Sequence, residues 1–164
     1  MKRKNSVFYA VLLGFVALIV ILDQITKELT IRHIPIGGDG GTVLWLFDLT
    51  HYKNNGAAWS MLEGHTWLFI LILVVFLALL VVCVVKKWVS KRFELVCLAA
   101  IAGGGIGNAI DRIFRGGEVT DMIKFSFWRS FPTFNVADSF ITVGCFALLV
   151  YLLFFDREKK GEKT

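Results

Sequence analysis

Four apolar runs, approximately Val7 to Leu22, Trp67 to Val85, Leu95 to Ile110 and Phe140 to Phe155, alternate with segments rich in polar and charged positions. Crossing a bilayer takes about 20 mostly apolar helical residues, and only the second run reaches that length unaided. The other three lengthen by a turn when flanking residues snorkel or face protein rather than lipid. This predicts spans over about 7–28, 67–86, 93–111 and 138–156. Trp67 and Trp88 bracket the second run, and Trp128 sits beside Arg129 before the fourth, where interfacial rings belong. Between the first two runs, GGDGG at 37–41 leads into TVLWLFDLTHY. Its partial alternation and aromatic content predict a strand or hairpin near the outer leaflet, with Trp45 and Phe47 toward lipid or substrate. The following AAWSML is expected to begin a short interfacial helix. The fold class is therefore an all-α integral membrane protein, with four transmembrane helices and a small extracytoplasmic β/loop subdomain. A single membrane-embedded domain over 1–164 is expected, without internal repeat or linker.

Composition supports this reading, with 56% apolar and 19% charged residues and a mean hydropathy of +0.67. The net charge of +5 raises the question of a nucleic-acid partner. The distribution excludes it: basic residues gather before the first run (Lys2, Arg3, Lys4), between the second and third (Lys86, Lys87, Lys91, Arg92) and after the last (Arg157, Lys159, Lys160, Lys163). That is the positive-inside pattern, and it puts both termini in the cytoplasm and the two slightly acidic loops outside. The basic head and apolar centre of the first segment also suggest a cleavable signal. No small-residue cleavage site follows Leu22, and DQITKEL continues as the same helix. Cys83, Cys97 and Cys145 fall inside apolar runs and are expected to be small buried hydrophobes. His33, His51 and His65 lack ligand spacing and no HExxH motif occurs, so no metal site is expected.

Candidate chemistry lies at the run ends. Asp23 and Lys27, four apart, share a helix face and can pair. Asn108, Asp111 and Arg112 follow Gly103, Gly104, Gly105 and Gly107 at the end of the third helix. Close helix packing is the simplest reading of those glycines, and an interfacial anchor that of Asp111 with Arg112. Asp138 precedes the fourth run, where it or Asn135 would cap the helix. Asp121 follows EVT in a short extended stretch. Position identifies neither aspartate as catalytic, but their loop begins and ends at one membrane face, so residues 17 positions apart can meet there. Two adjacent carboxyl groups share a proton and supply one general base and one general acid, which suits amide hydrolysis by an activated water without a covalent intermediate.

DQITK (23–27), NNGAAWS (54–60), GGGIGNAIDR (103–112), GEVTDMI (117–123) and FNVADS (134–139), in this order on a four-span chain, closely resemble the lipoprotein signal peptidase (signal peptidase II) family over nearly the whole length. The resemblance implies a bacterial membrane aspartyl endopeptidase that cuts a diacylglyceryl-prolipoprotein before its lipidated cysteine. It implies Asp121 and Asp138 as catalytic residues, with Asn54, Asn108, Arg112 and Asn135 holding substrate or the dyad. Asp23 and Lys27 match the first block, and Gly56, Gly104 and Asp111 are carried with the supporting set. Trp59 and Met122 stand where phenylalanine is usual. No cofactor, no metal and no nucleic-acid partner is implied; membrane lipid and the prolipoprotein are the expected partners of a monomer. GxSG and GxGD, the motifs of other intramembrane proteases, are absent. The remaining alternatives are a four-helix transporter, which calls for a carboxylate near the middle of a span, and a structural membrane subunit.

Overall fold

The computed structural model describes residues 2–56 and 61–155. Its elements follow in the order α1 (Lys2–His33), β1 (Asp39–Val43), β2 (Phe47–Asn54), α2 (Thr66–Val85), α3 (Arg92–Phe114), β3 (Val119–Phe125) and α4 (Val136–Phe154). All four helices are long and apolar enough to cross a membrane. The chain is a multi-pass membrane protein with a small three-stranded sheet at one end of its bundle. The predicted spans recur with ends moved by a few residues, and α1 extends furthest beyond its apolar run, as the DQITKEL continuation implied. It stops at His33 because Pro35 disfavours helical geometry at the preceding residue. The stretch beginning at Ala57 that was expected to open a helix lies partly outside the described residues, as does Trp59; Met61 to Gly64 form a turn.

The helices divide their work by composition. α2 carries no charged residue and has none buried, so it faces lipid over most of its circumference. α3 is the central helix, rich in alanine and glycine, and buries eleven residues. Its small side chains let neighbours approach closely. A Cβ on Gly103 would stand 3.0 Å from Ile19 of α1, one on Gly107 2.6 Å from the Asp23 carboxylate, and one on Gly104 against the Ala137 carbonyl of α4. Gly144 answers from α4, where a Cβ would lie 2.9 Å from the Cys97 carbonyl oxygen. The glycine-rich block is thus chiefly a packing surface. Among the cysteines only Cys97 is buried; Cys83 is intermediate, and Cys145 is exposed on the bundle surface, contrary to expectation.

The sheet is antiparallel in the order β1-β2-β3. Residues 44–46 connect β1 to β2; Leu44 and Trp45, with φ of 53° and 61°, are the central residues of a turn in which the Leu46 amide donates to the Val43 carbonyl at 3.2 Å. Trp45, 92% exposed, projects from this tip, whereas Phe47 lies opposite Phe125 and lines a cavity. After β3 the chain doubles back. Phe134 exchanges backbone hydrogen bonds with Ile123, donating at 2.9 Å and accepting at 2.8 Å, and this return delivers Asn135 and the start of α4 to the side of β3.

Gly104→Ala is expected to destabilise the protein by about 1–3 kcal/mol through overpacking. Gly14→Ala, where nothing lies within 4 Å of the added methyl, should leave stability unchanged or slightly raised. Thermal unfolding of both variants in detergent checks the contrast.

Candidate active site

Asp121 and Asp138 face one cavity of about 700 Å³ enclosed by α2, α3, α4 and the sheet. Asp121 comes from the sheet. Its cross-strand partner is Tyr52, and Asn54, two residues further along β2, is a diagonal neighbour on the same face. Asn54 Nδ2 donates to Asp121 Oδ2 at 2.9 Å. Asp138 comes from the first turn of α4. Asn135 is the N-cap: its side chain accepts from the Asp138 amide at 2.9 Å, and the Asp138 carboxylate accepts from the Asn135 amide at 3.2 Å. Of the two expected caps, Asn135 holds the position, and Asp138 completes a capping box.

Three asparagine amides are held in one orientation by groups that can only donate. Asn54 Oδ1 accepts from the Gly56 amide at 2.9 Å, Asn108 Oδ1 from Lys27 Nζ at 2.9 Å, and Asn135 Oδ1 from the Asp138 amide. Because the oxygen of each is committed, each NH2 must point the other way. Asn135 Nδ2 donates to Asp121 Oδ1 at 2.6 Å, and Asn108 Nδ2 to Asp138 Oδ1 at 2.7 Å. The two carboxyl groups are therefore fixed by four donors: two asparagine amides on Asp121, and one asparagine amide and one backbone N–H on Asp138.

Asp121 is 1% exposed. Burial, and secondarily the charge of Asp138, push its carboxyl up to about 7, against the opposing amide donors of Asn54 and Asn135. The group keeps its proton to near neutral pH in the folded chain.

Beneath the pair lies a dry ionic cluster. Lys27, Asp23 and Asp111 have fully buried side chains, with Lys27 Nζ 2.8 Å from Asp23 Oδ2 and 3.4 Å from Asp111 Oδ2. Each carboxylate also holds a structural element. Asp23 Oδ1 accepts from the Ala137 amide at 3.0 Å, satisfying a free N–H at the start of α4. Asp111 Oδ2 accepts from the Thr120 amide at 2.9 Å and so fixes β3 one residue before Asp121. None of the three lines the cavity. Gln24, which sequence reasoning passed over, ties the cluster together by donating to Asp23, to Asp111 and to the Gly107 carbonyl, each at 3.1 Å; its place inside DQITK was the available signal.

Arg112 does not pair with Asp111. On a helix adjacent residues diverge by about 100°, and the i+4 neighbour Arg115 takes that carboxylate at 2.6 Å. Arg112 instead turns into the cavity, donates to the Gly56 carbonyl at 2.9 Å and lies 4.4 Å over the Phe69 ring. Its Nε is buried without a partner among the described residues, leaving a donor for a bound molecule. Gly56 and Gly105 line the cavity and Gly104 does not. Phe69 had no sequence signal, since it is one apolar residue in a wholly apolar helix. Met122 is buried on β3. The rest of the cavity is mostly apolar, with Ile72, Leu73 and Phe76 of α2 and Ile141 and Val143 of α4, and with the hydroxyls of Thr133, Ser139 and Thr142 also in its lining.

A multi-pass membrane protein with two coupled carboxyl groups in a cavity at one membrane edge has the equipment of a membrane-embedded hydrolase, and comparison with known proteins gives the particular family. Residues 15–154 match the family model of signal peptidase (SPase) II. A lipoprotein signal peptidase of Geobacillus kaustophilus is 43% identical over 148 residues, covering 90% of this chain and 96% of that one. One from Listeria monocytogenes is 40% identical over 158 residues, covering 95% and 99%. A bacterial membrane enzyme solved by the in meso method at 2.3 Å superposes with a TM-score of 0.84 at 32% identity over 94% of each chain. A second, solved at 1.9 Å, gives 0.78 at 33% identity over 89% of this chain and 94% of that one. The chain belongs to the signal peptidase II family.

Lys27→Met would leave Asp23 and Asp111 buried without their shared cation and is expected to destabilise the protein by about 3–5 kcal/mol. A loss below about 1 kcal/mol in thermal unfolding would deny the cluster its structural weight.

Proposed function

We propose that the protein is an aspartyl endopeptidase that removes the signal peptide of diacylglyceryl-modified prolipoproteins, with Asp121 and Asp138 as its catalytic pair. The single observation that carries this reading is the convergence of both carboxyl groups on one cavity whose wall is otherwise mostly apolar. A lipid-modified cysteine keeps the scissile bond at a fixed depth, and each buried methylene of its chains contributes about 0.8 kcal/mol. The apolar wall between α2 and α4 suits those chains, and Arg112 Nε suits a substrate carbonyl.

In this mechanism Asp138, at the positive end of α4, is the carboxylate that takes a proton from water as the oxygen attacks the scissile carbonyl carbon. Asp121 enters protonated and donates to the developing oxyanion; Asp138 then passes the proton taken from water to the leaving nitrogen as the C–N bond breaks, and Asp121 recovers its proton as the carbonyl re-forms. The macroscopic titration belongs to the pair.

Orientation follows from the basic clusters. Lys2, Arg3 and Lys4 share one end of the bundle with Lys86, Lys87, Lys91 and Arg92, so that end is cytoplasmic and the sheet and site face the outer leaflet. Both site carboxylates come from one chain within one domain, which supports a monomer as the working unit. The transporter alternative gains nothing from the structure: Asp23, Asp111, Asp121 and Asp138 all gather at the sheet end.

Asp121→Asn and Asp138→Asn, purified in detergent, are expected to stay folded and lose cleavage of a diacylglyceryl-modified prolipoprotein peptide. Retained cleavage in either would refute the pair. The pH dependence has a defined sign. An acid that keeps its proton to about 7 supplies it below that value, so turnover should fall as pH rises through about 7. It should also fall in acid, once the attacking carboxylate is neutralised; a rate still climbing above pH 8 would contradict the assignment.

A further inference from the structure

Successive residues of a strand point to opposite faces, and β3 uses both. Val119 and Asp121 line the cavity of the catalytic pair, whereas Glu118 and Thr120 line a second cavity of about 620 Å³ on the other face of the sheet. His51 and Lys53 of β2 line it with them, and Glu28 and Arg115 close it from α1 and α3. No step of the proposed hydrolysis uses this space.

The chemistry around it is specific. His51 is 3% exposed, and its Nδ1 lies 2.7 Å from the Ile34 carbonyl oxygen. A carbonyl only accepts, so Nδ1 carries the hydrogen, and in the neutral form of the ring Nε2 presents a lone pair. That atom is buried with no partner among the described residues. Buried polar atoms are ordinarily satisfied, so an orphan beside a cavity calls for a ligand. The lining charges balance two against two: Glu118 lies 3.1 Å from Lys53, and Glu28 3.5 Å from Arg115, with Arg32 also 2.8 Å from Glu28 and Asp111 2.6 Å from Arg115. Three acceptor groups, His51 Nε2 and two carboxylates, match the three N–H donors of a primary ammonium. Lys53 and Arg115 match a phosphodiester, and the overall neutrality matches a zwitterion. The cavity sits where α1 leaves its span, and Ile31, Ile34 and Ile36 give it an apolar wall.

We propose that this cavity binds an aminophospholipid headgroup, a phosphodiester bearing a primary ammonium, of the phosphatidylethanolamine type. The ammonium donates to His51 Nε2, Glu28 and Glu118, the phosphate lies between Lys53 and Arg115, and the glycerol leaves past the isoleucines toward the bilayer. Choline, without an N–H, and glycerol headgroups, without a cation, fit less well.

The test uses the full chain in detergent with equimolar phosphatidylethanolamine, phosphatidylcholine and phosphatidylglycerol of matched chains, read by native mass spectrometry. A charge-assisted hydrogen bond corresponds to about tenfold in affinity, so the wild type should retain the ethanolamine lipid by about that factor. His51→Phe and, separately, Glu118→Gln should bring the ratio to within about twofold of unity. Glu118 is on the rim and half exposed, so the second variant tests the site even if the first does not fold. Equal retention of all three lipids by the wild type, or a preference that survives in Glu118→Gln, overturns the proposal. Competition by soluble glycerophosphoethanolamine supports it, identifying the headgroup as sufficient. Equal competition by inorganic phosphate would refute the ammonium contacts. Cleavage activity in detergent should be unchanged in Glu118→Gln, which separates this result from any failure of the peptidase reading.

Discussion

One buried ammonium organises the sheet end of this bundle. Lys27 Nζ reaches Asp23, Asp111 and Asn108 in an interior where its side chain has no exposure. A lone charge there would be untenable, so the three acceptors must be present together, and each carries a second duty. Asp23 holds the start of α4, Asp111 the start of β3, and Asn108 the Asp138 carboxylate. The cation thereby joins α1 and α3 to the two segments that supply Asp121 and Asp138. Because Lys27 can only donate, it also determines which end of the Asn108 amide faces the site. Polarity passes outward from the cluster without any group moving.

The sheet adds the second constraint. Alternation along β3 sends Asp121 to one cavity and Thr120 to the other, and Thr120 reaches Asp111 through its backbone N–H, leaving both side-chain faces free. A slip of one residue in β3 would exchange the two faces. The Asp111 contact and the return pairing of Phe134 on Ile123 hold the register against such a slip. The site thus depends on backbone pairing as much as on helix packing, although the sheet is a small part of the fold.

Much of the architecture was legible in the sequence because membrane spans and i,i+4 pairs are local signals. The apolar runs predicted the helices, and the spacing of Asp23 and Lys27 predicted their ion pair. The same spacing rule assigns Asp111 to Arg115, while Arg112, expected from the family resemblance to hold substrate or the pair, lines the cavity. Asp121 and Asp138 were picked out by their place at one membrane face and by family resemblance. What brings them together is long-range: Asn135 bridges from the cap of α4 to Asp121 on β3. Amide orientation, the unpartnered nitrogen of His51 and the second cavity had no sequence signature, since each arises only when strands from two loops pair. Cys145 shows the converse limit, because an apolar run does not reveal which of its faces meets lipid.

The central claim is that Asp121 holds a proton near neutrality because it is buried beside a second carboxylate. Carbon-13 NMR of the aspartate carboxyl groups, in the full chain reconstituted in lipid, measures this directly. The account predicts an Asp121 signal that titrates near 7 and moves to lower pH when Asp138 is replaced by asparagine. An Asp121 signal that titrates near the ordinary value of about 4, unmoved by that replacement, would contradict it.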